Sequence, residues 1–364
     1  MEKKEGSMEK IRSFYKNKKV FVTGATGFKG SWLCCWLLQM GAKVYGSGYS
    51  PNQNKNLFYK LRLQKKIKLG IFDIRDKKKL EKFIEKSKPS IIFHLAAQPL
   101  IYDSYTKPHF TIDINVGGTL NILECCRKYK FIKSSVLITS DKCYENVGKL
   151  RRYKEEDELG GVDPYSASKA SSEIIIRAYR ESFLSKGTIN AISSARAGNV
   201  IGGGDWSGKR LIPDTIRSLL TNKNIFLRNP NFNRPWQHVL EPLKGYLILA
   251  KKQYLNPIKY SDAWNFGTKN NSIKSVKEIV DYIILFWGKG KVKTNKKNKF
   301  YEQKNLQLDI TKAKKLLKWL PTYTVKESVR ITTQWYLRVY KNKDDPFLVT
   351  NQQIKDYMNE NNRS

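Results

Sequence analysis

Residues 18–41 read KKVFVTGATGFKGSWLCCWLLQMG. The run through Thr23 is β-rich and stops at a glycine. The bulky side chains at 32, 33, 36, 37 and 40 then recur with helical spacing as far as Gly41. Between strand and helix lies Thr23-Gly24-Ala25-Thr26-Gly27-Phe28-Lys29-Gly30. Glycines in such a turn allow a tight reversal and let a pyrophosphate approach the backbone at a helix N-terminus. Three glycines also suit a purely structural turn, but a turn placed between a strand and a helix points to a dinucleotide.

Working outward, residues 42–49, 67–74, 89–97, 134–140 and 190–201 read as strands. Residues 78–87, 109–129 and 165–184 read as helices between them. This alternation predicts an α/β fold, a doubly wound parallel sheet covered on both faces. After about residue 200 the pattern loosens. GGGDWSGKRLIPD and RNPNFNRPWQHVLEP, rich in Gly, Pro, Asn and aromatic residues, read as loops that build a site.

The chain has 364 residues and a formal net charge of +36, from 68 Lys and Arg against 32 Asp and Glu. Clustered cations suit nucleic acid or an anionic membrane. Yet no zinc-finger, helix-turn-helix or RRM signature accompanies them. Runs such as DKKKLEKFIEKSK place the lysines on the outer face of an amphipathic helix, so the charge reads as a solvated surface. No nucleic acid and no membrane insertion are expected, since no apolar run reaches the length of a span. The polar leader at 1–19 does not read as a signal peptide, and Met8 is a second candidate start. The five cysteines, Cys34, Cys35, Cys125, Cys126 and Cys143, suit neither a zinc site nor a disulfide framework. The expectation is no metal and a reducing, cytoplasmic compartment.

Tyr165 and Lys169, in DPYSASKA, lie four apart at the start of a helix and share a face. An ammonium there lowers the phenol pKa and readies Tyr165 as a base. Ser140, at the end of a strand, would bond a substrate hydroxyl or the Tyr165 oxygen. Asp141 and Lys142 follow it directly in TSDKCYEN, as a solvated turn or as an acid and a base. The second strand ends in VYGSGYSP without an acid, and Asp73 in FDIRD is left to face an adenosine, so NAD against NADP stays open on the residues.

With these motifs assembled, the chain resembles the extended short-chain dehydrogenase/reductase superfamily, in TGATGFKG, FHLAAQ, NVGGTLNILE, ITSDKCYE, YSASK and RAGNVIGGGDW. Within that superfamily, TGFKGSWL, HLAAQPL, TSDKCYEN, RAGNVIGGGDW, RNPNFNRPWQHVLEPLKGYL and WNFG resemble the CDP-glucose 4,6-dehydratase family from about residue 15 onward. The resemblance implies a Rossmann domain over 15–200, to which 237–268 returns, and a smaller nucleotide-sugar-binding lobe from 201–236 and 269–345. Residues 1–14 and 346–364 would be polar termini. It implies NAD held by Gly24, Thr26, Gly27, Phe28, Lys29, Gly30, Asp73, Ile74, Leu95, Ala96, Ala97, Asn115, Tyr165 and Lys169. It implies CDP-glucose held by Gln98, Asn199, Arg210 and Arg234, a surface salt bridge being the alternative for each arginine. Ser140, Asp141, Lys142, Tyr165 and Lys169 would be the catalytic set, with Asp141 as the acid at the 6-hydroxyl. Lys142 is either the base at carbon 5 or a partner that orients Asp141. A 4-epimerase would share Ser140, Tyr165 and Lys169 without needing Asp141, and a basic binding protein would need none of them. Relatives of this kind build deoxysugars for surface polysaccharides as homodimers or homotetramers, through the helices at 109–129 and 165–184. His94 reads as a core histidine, and Trp206 and Trp236 as pocket walls or core.

Overall fold

The computed structural model describes residues 8–49, 56–146, 148, 151–184, 186–187, 190–269, 273–294 and 306–363. Seven parallel strands form the main sheet, in the spatial order Ala263–Phe266, Ala191–Ala197, Ser134–Ile138, Ile91–His94, Lys19–Thr23, Lys43–Gly48, Lys68–Ile71. Within it, strand Lys19–Thr23 pairs Val22 with both Gly46 and Phe93. Chain order runs outward in opposite directions from Lys19–Thr23, so this strand and Ile91–His94 flank the switch point. In open α/β sheets ligands bind there, beyond the carboxyl ends of the strands.

The strands are apolar because helices cover both faces. Helix Lys77–Ser87 buries Leu80 and Ile84 and turns its lysines to solvent, as its spacing predicts. The first turn is set by close approach. Gly24 sits at φ 66°, and a Cβ on Gly30 would lie 2.1 Å from the Gly24 carbonyl oxygen. No side chain fits between turn and helix.

Three sequence expectations change. Residues 190–201 form two strands, not one. Ala191–Ala197 stays in the main sheet, while Asn199–Ile201 pairs with Asn233–His238 in a separate three-stranded sheet. β-propensity continues across Gly198, so only the change of partner reveals the break. Residues 8–15 of the expected polar leader form helix Met8–Tyr15, with Met8, Ile11 and Tyr15 buried and the Tyr15 hydroxyl donating to the Leu247 carbonyl at 2.9 Å. Residues 1–7 lie outside the described residues. At the other end, helix Pro346–Arg363 buries Val349, Ile354 and Tyr357. Its polar composition hides an apolar stripe, which lies on helix Phe28–Gln39. Trp36 meets Tyr357 edge-on at 5.6 Å, and the Gln39 amide donates to the Asn351 carbonyl at 3.0 Å.

Gly30→Ala forces a Cβ into the turn backbone and is expected to destabilise by about 3 kcal/mol, the upper end for overpacking. Chemical denaturation of the variant beside the wild type measures this.

Candidate active site

A cleft of about 1030 Å³ opens at the switch point. That exceeds what one ordinary small ligand fills and leaves room for two ligands side by side. Its floor is the glycine turn. Gly24, Thr26, Gly27, Phe28, Lys29 and Gly30 line it, with Leu95, Ala96 and Ala97 from the end of the adjacent strand. Thr23 fastens these two strand ends together. Its hydroxyl meets His94 Nδ1 at 2.7 Å and accepts from the Ala96 N–H at 3.1 Å. Asp73 and Ile74 close the far side. The Asp73 carboxylate is chelated by Arg75, whose bonds hold its pKa below the usual range.

The opposite wall carries Ser140, Asp141, Lys142, Tyr165 and Lys169. Ser140 caps a single helical turn, Asp141–Cys143. Its hydroxyl donates to Asp141 Oδ1 at 3.0 Å and accepts from the Lys142 N–H at 3.2 Å. Helix Pro164–Tyr179 starts with Asp163 as N-cap, accepting from the Ser166 N–H at 2.9 Å. Proline at the first helical position suits this start. The next residue, Tyr165, lines the cleft on the same wall as Ser140. One turn on, Lys169 donates to the Ile138 carbonyl at 3.4 Å.

Burial dominates the electrostatics. It pushes the Asp141 carboxyl up, against the opposing pull of Lys142, the Ser140 hydrogen bond, Lys29 and Arg234. It pushes Lys169 down to about 8, with Glu173 opposing. Lys29 is also lowered to about 8, by desolvation and then by Arg210 and Lys169. The sequence expectation for Tyr165 is reversed in the protein alone. Burial raises the phenol to about 12, although the nearby Ser140 hydroxyl and Arg210 favour its ionised form. A bound cationic ring is the further charge that would bring it down.

Asn199, Arg210, Arg234 and Gln98 line the cleft as well. Arg210 pairs with Asp205 at 3.2 Å, and Arg234 donates to the Asn233 carbonyl at 3.0 Å. Gln98 and Asn115 also brace this wall. The Gln98 amide donates to the Leu100 carbonyl at 3.0 Å and to Thr111 at 2.9 Å, which holds the loop. Asn115 is buried behind the wall. Its side chain accepts from the Gln98 N–H at 2.9 Å and donates to the Gln98 carbonyl and to Ser168. Trp236 lines the cleft, whereas Trp206 packs edge-on against Tyr336 and Tyr340.

Sequence reasoning missed Phe226 and Arg228, which line the outer cleft. Arg228 lies in the quoted RNPN stretch, but nothing there marked which residues face inward. It also missed Glu173, one turn beyond Lys169, which the helical spacing from Tyr165 already placed on this face. Glu173 forms a buried ion pair with Arg196 at 2.7 Å, and its carboxylate accepts from Thr139 and Ser194. Among the described residues no group of His, Cys, Asp and Glu is placed to hold a metal, and no helix is long and apolar enough to cross a membrane. The five cysteines are buried free thiols.

The comparisons agree with this geometry. The chain belongs to the family described as GDP-mannose 4,6 dehydratase, whose model matches residues 21–332. Over 357 residues, 97% of this chain and 99% of the relative, it is 42% identical to the CDP-glucose 4,6-dehydratase of Salmonella typhimurium LT2. The dTDP-glucose 4,6-dehydratase of Bacillus anthracis, solved in complex with NAD, superposes with a TM-score of 0.76 at 26% identity, covering 89% of this chain and 98% of that one. A UDP-glucose 4-epimerase of Thermotoga maritima, solved with UDP-glucose, superposes at 0.74 with 21% identity over 89% of this chain and 99% of that one, a likeness of fold alone.

Two histidines give the fold an acid sensitivity. His94 is enclosed between Thr23 and Thr119, and His238 lies between the rings of Trp32 and Tyr323. Burial lowers both from 6.5 to about 3. The unfolded chain therefore binds protons first, and stability is lost as pH falls below 6.5. Each histidine contributes a slope of about 1.4 kcal/mol per pH unit. Urea midpoints between pH 7 and 5 should fall accordingly, and His238→Gln should flatten the dependence.

Proposed function

We propose that this chain is an NAD-dependent nucleotide-sugar 4,6-dehydratase that converts CDP-glucose to CDP-4-keto-6-deoxyglucose and water. One observation carries the reading. A carboxyl group, Asp141, is buried beside Ser140 and Tyr165 with its pKa raised, so it can hold a proton to donate. Interconverting epimers at carbon 4 has no use for such an acid. The 42% identity with the Salmonella CDP-glucose enzyme supports the substrate.

The glycine turn and its neighbours fit a dinucleotide, because the cradle admits no Cβ at Gly24 or Gly30. Gly24, Thr26, Gly27, Phe28, Lys29, Gly30, Asp73, Ile74 and Leu95–Ala97 would hold it, with Asn115 bracing the wall behind. NAD supplies an acceptor for the hydride of carbon 4, which later returns at carbon 6. Tyr165, ionised once a bound cationic ring lowers its pKa, takes the proton of the 4-hydroxyl, with Lys169 one turn along the same helix. The resulting ketone acidifies the hydrogen at carbon 5, which Lys142 removes. Asp141 protonates the departing 6-hydroxyl, and Lys142 gives its proton back to carbon 5. Arg210 and Arg234 bind the diphosphate, since their planar forks match phosphate oxygens. Asn199 contacts the sugar. The enclosing walls exclude water from the reactive ketone. The free thiols suit a cytoplasmic site for the reaction.

The active unit is a homodimer or a pair of dimers, joined through the helices at 108–128 and 164–184. Ile112, Leu120 and Ile174 are exposed on them, and large apolar side chains in one area of surface suit a subunit contact.

Incubation with CDP-glucose and NAD should remove one water from the sugar nucleotide, read by mass spectrometry. Asp141→Asn should lower dehydration at least about 100-fold, the usual loss for a general acid. A galactose-configured product of unchanged mass would overturn the reading. For the assembly, Leu120→Glu combined with Ile174→Glu should shift the mass measured by light scattering to that of one chain.

A further inference from the structure

The cleft opens at the carboxyl ends of the strands. Their amino ends form the opposite edge of the sheet, and its chemistry is different. Each of the five adjacent strands from Ser134–Ile138 across to Lys68–Ile71 carries a lysine at its start or within three residues before it: Lys133, Lys88, Lys19, Lys43 and Lys68. The backbone ties these starts into one row. The Lys133 N–H donates to the Ser90 carbonyl at 2.8 Å, the Ser90 N–H to the Lys19 carbonyl at 2.9 Å, and the Lys43 N–H to the Lys18 carbonyl at 2.8 Å. With neighbouring strands about 4.8 Å apart, the row is about 19 Å long. Lysines on the helices are paired, Lys128 with Glu81 at 2.9 Å and Lys277 with Asp281 at 2.7 Å. Among the described residues none of the five lysines in the row forms an ion pair, and Lys43, Lys68, Lys88 and Lys133 are exposed. The acids at this edge are already engaged. Glu85 accepts from the Tyr129 hydroxyl at 2.6 Å and faces Lys128 at 3.8 Å, and Asp262 pairs with Arg180 and Lys312. Two aliphatic side chains stand on the same edge. Helix Leu240–Leu255 ends there, since the Ser134 hydroxyl donates to the Ala250 carbonyl at 3.0 Å and Lys18 Nζ to the Tyr254 hydroxyl at 3.4 Å. Helix Pro257–Tyr260 then leads into the start of strand Ala263–Phe266. Leu255 is 64% exposed and Ile258 72%, with Lys259 exposed beside them.

We propose that this edge docks the protein on an anionic phospholipid bilayer, where it lies peripherally with its cleft turned to the solvent. Charge complementarity carries the assignment. Unpaired lysines in a row attract a negative lipid surface, and protruding aliphatic side chains flanked by lysine settle at its headgroup boundary. Nothing crosses the bilayer. The composition of the edge suits lipid over nucleic acid. The row holds lysines alone, which act as point charges, and none of the arginine forks that match phosphates and base edges. It also offers no ring on which a base could stack. The exposed aromatic side chains, Tyr49, Tyr102, Tyr105 and Phe226, all line the cleft at the other end. A second copy of the chain does not fit the edge either, because a two-fold contact would set the same cations against each other. Docking at the amino ends of the strands leaves the carboxyl ends free, so ligands enter and leave the cleft without the protein coming off the surface.

Flotation of the full chain with vesicles of phosphatidylglycerol and phosphatidylcholine in equal parts tests this, with pure phosphatidylcholine vesicles as the reference. The wild type should bind the mixed vesicles at low salt, ignore the neutral ones, and come off as salt rises. Lys43→Glu, Lys68→Glu and Lys133→Glu combined should weaken binding at least about 100-fold, at about fivefold for each lysine lost from the surface. Leu255→Ser with Ile258→Ser should weaken it about tenfold. Lys289→Glu, Lys315→Glu and Lys355→Glu combined lower the net charge equally from elsewhere on the surface, and should stay within about fivefold of wild type. Wild-type protein that stays off the mixed vesicles at low salt would overturn the proposal without any variant. So would equal losses in the two lysine triples. Tighter binding to duplex DNA, abolished by the first triple, would give the edge to nucleic acid instead of lipid. A mass in light scattering that the first triple halves would give it to a second copy. Each of these readouts is independent of turnover, so the proposal stands or falls apart from the dehydratase reading.

Discussion

The carboxylate of Glu173 is the fastening on which the catalytic wall depends. It accepts from Thr139 at the end of one strand, from Ser194 on the next, and from Arg196 two residues later. Glu173 itself belongs to the helix that carries Tyr165 and Lys169. One buried anion thus locks two strands and a helix in register, immediately below Ser140 and Asp141. Arg196 extends the lock, donating to the Tyr144 hydroxyl at 2.6 Å, and Tyr144 donates to Asn265 at 2.8 Å. Removing one partner of such a pair typically costs about 3–5 kcal/mol, because the other charge stays buried. Its geometric yield is a wall whose side chains cannot drift apart.

Above that lock, burial and charge compete for each ionisable group. For Asp141 desolvation outweighs three cations and a hydrogen bond, which shifts the carboxyl toward its protonated form. For Lys169 and Lys29 the same desolvation works in the opposite direction and brings both to about 8. The cleft thus lowers its bases and raises its acids toward one working range, which general acid–base chemistry needs. Tyr165 is the exception. Its ionisation waits for positive charge that the chain alone does not provide.

Much of this was legible in the sequence because local rules and the global fold agree. The strand, glycine turn and helix at 18–41 announced the sheet and its switch point. The spacing of Tyr165 and Lys169 placed them on one face, and Ser140 at a strand end completed the set. What stayed hidden depends on partners remote in the chain. Gln98 and Asn115 sit in recognisable segments, yet only the bonds of the Asn115 side chain to the Gln98 backbone and Ser168, and of the Gln98 amide to Leu100 and Thr111, show how they brace. The division of 190–201 into two strands depends on Asn233–His238, more than thirty residues away. The helix at 346–363 looked polar because its apolar residues are spaced among Asn, Gln and Lys.

That last helix makes a distant part of the chain a support of the glycine turn. Trp36, in the helix that presents the turn, is covered by Tyr357, and Tyr357 in turn donates to the buried carboxylate of Glu241 at 2.6 Å. Stripping Tyr357 away would uncover Trp36 on that side and take one hydrogen-bond donor from a buried carboxylate. A substitution far from the cleft in sequence is thus felt at the helix that shapes its floor.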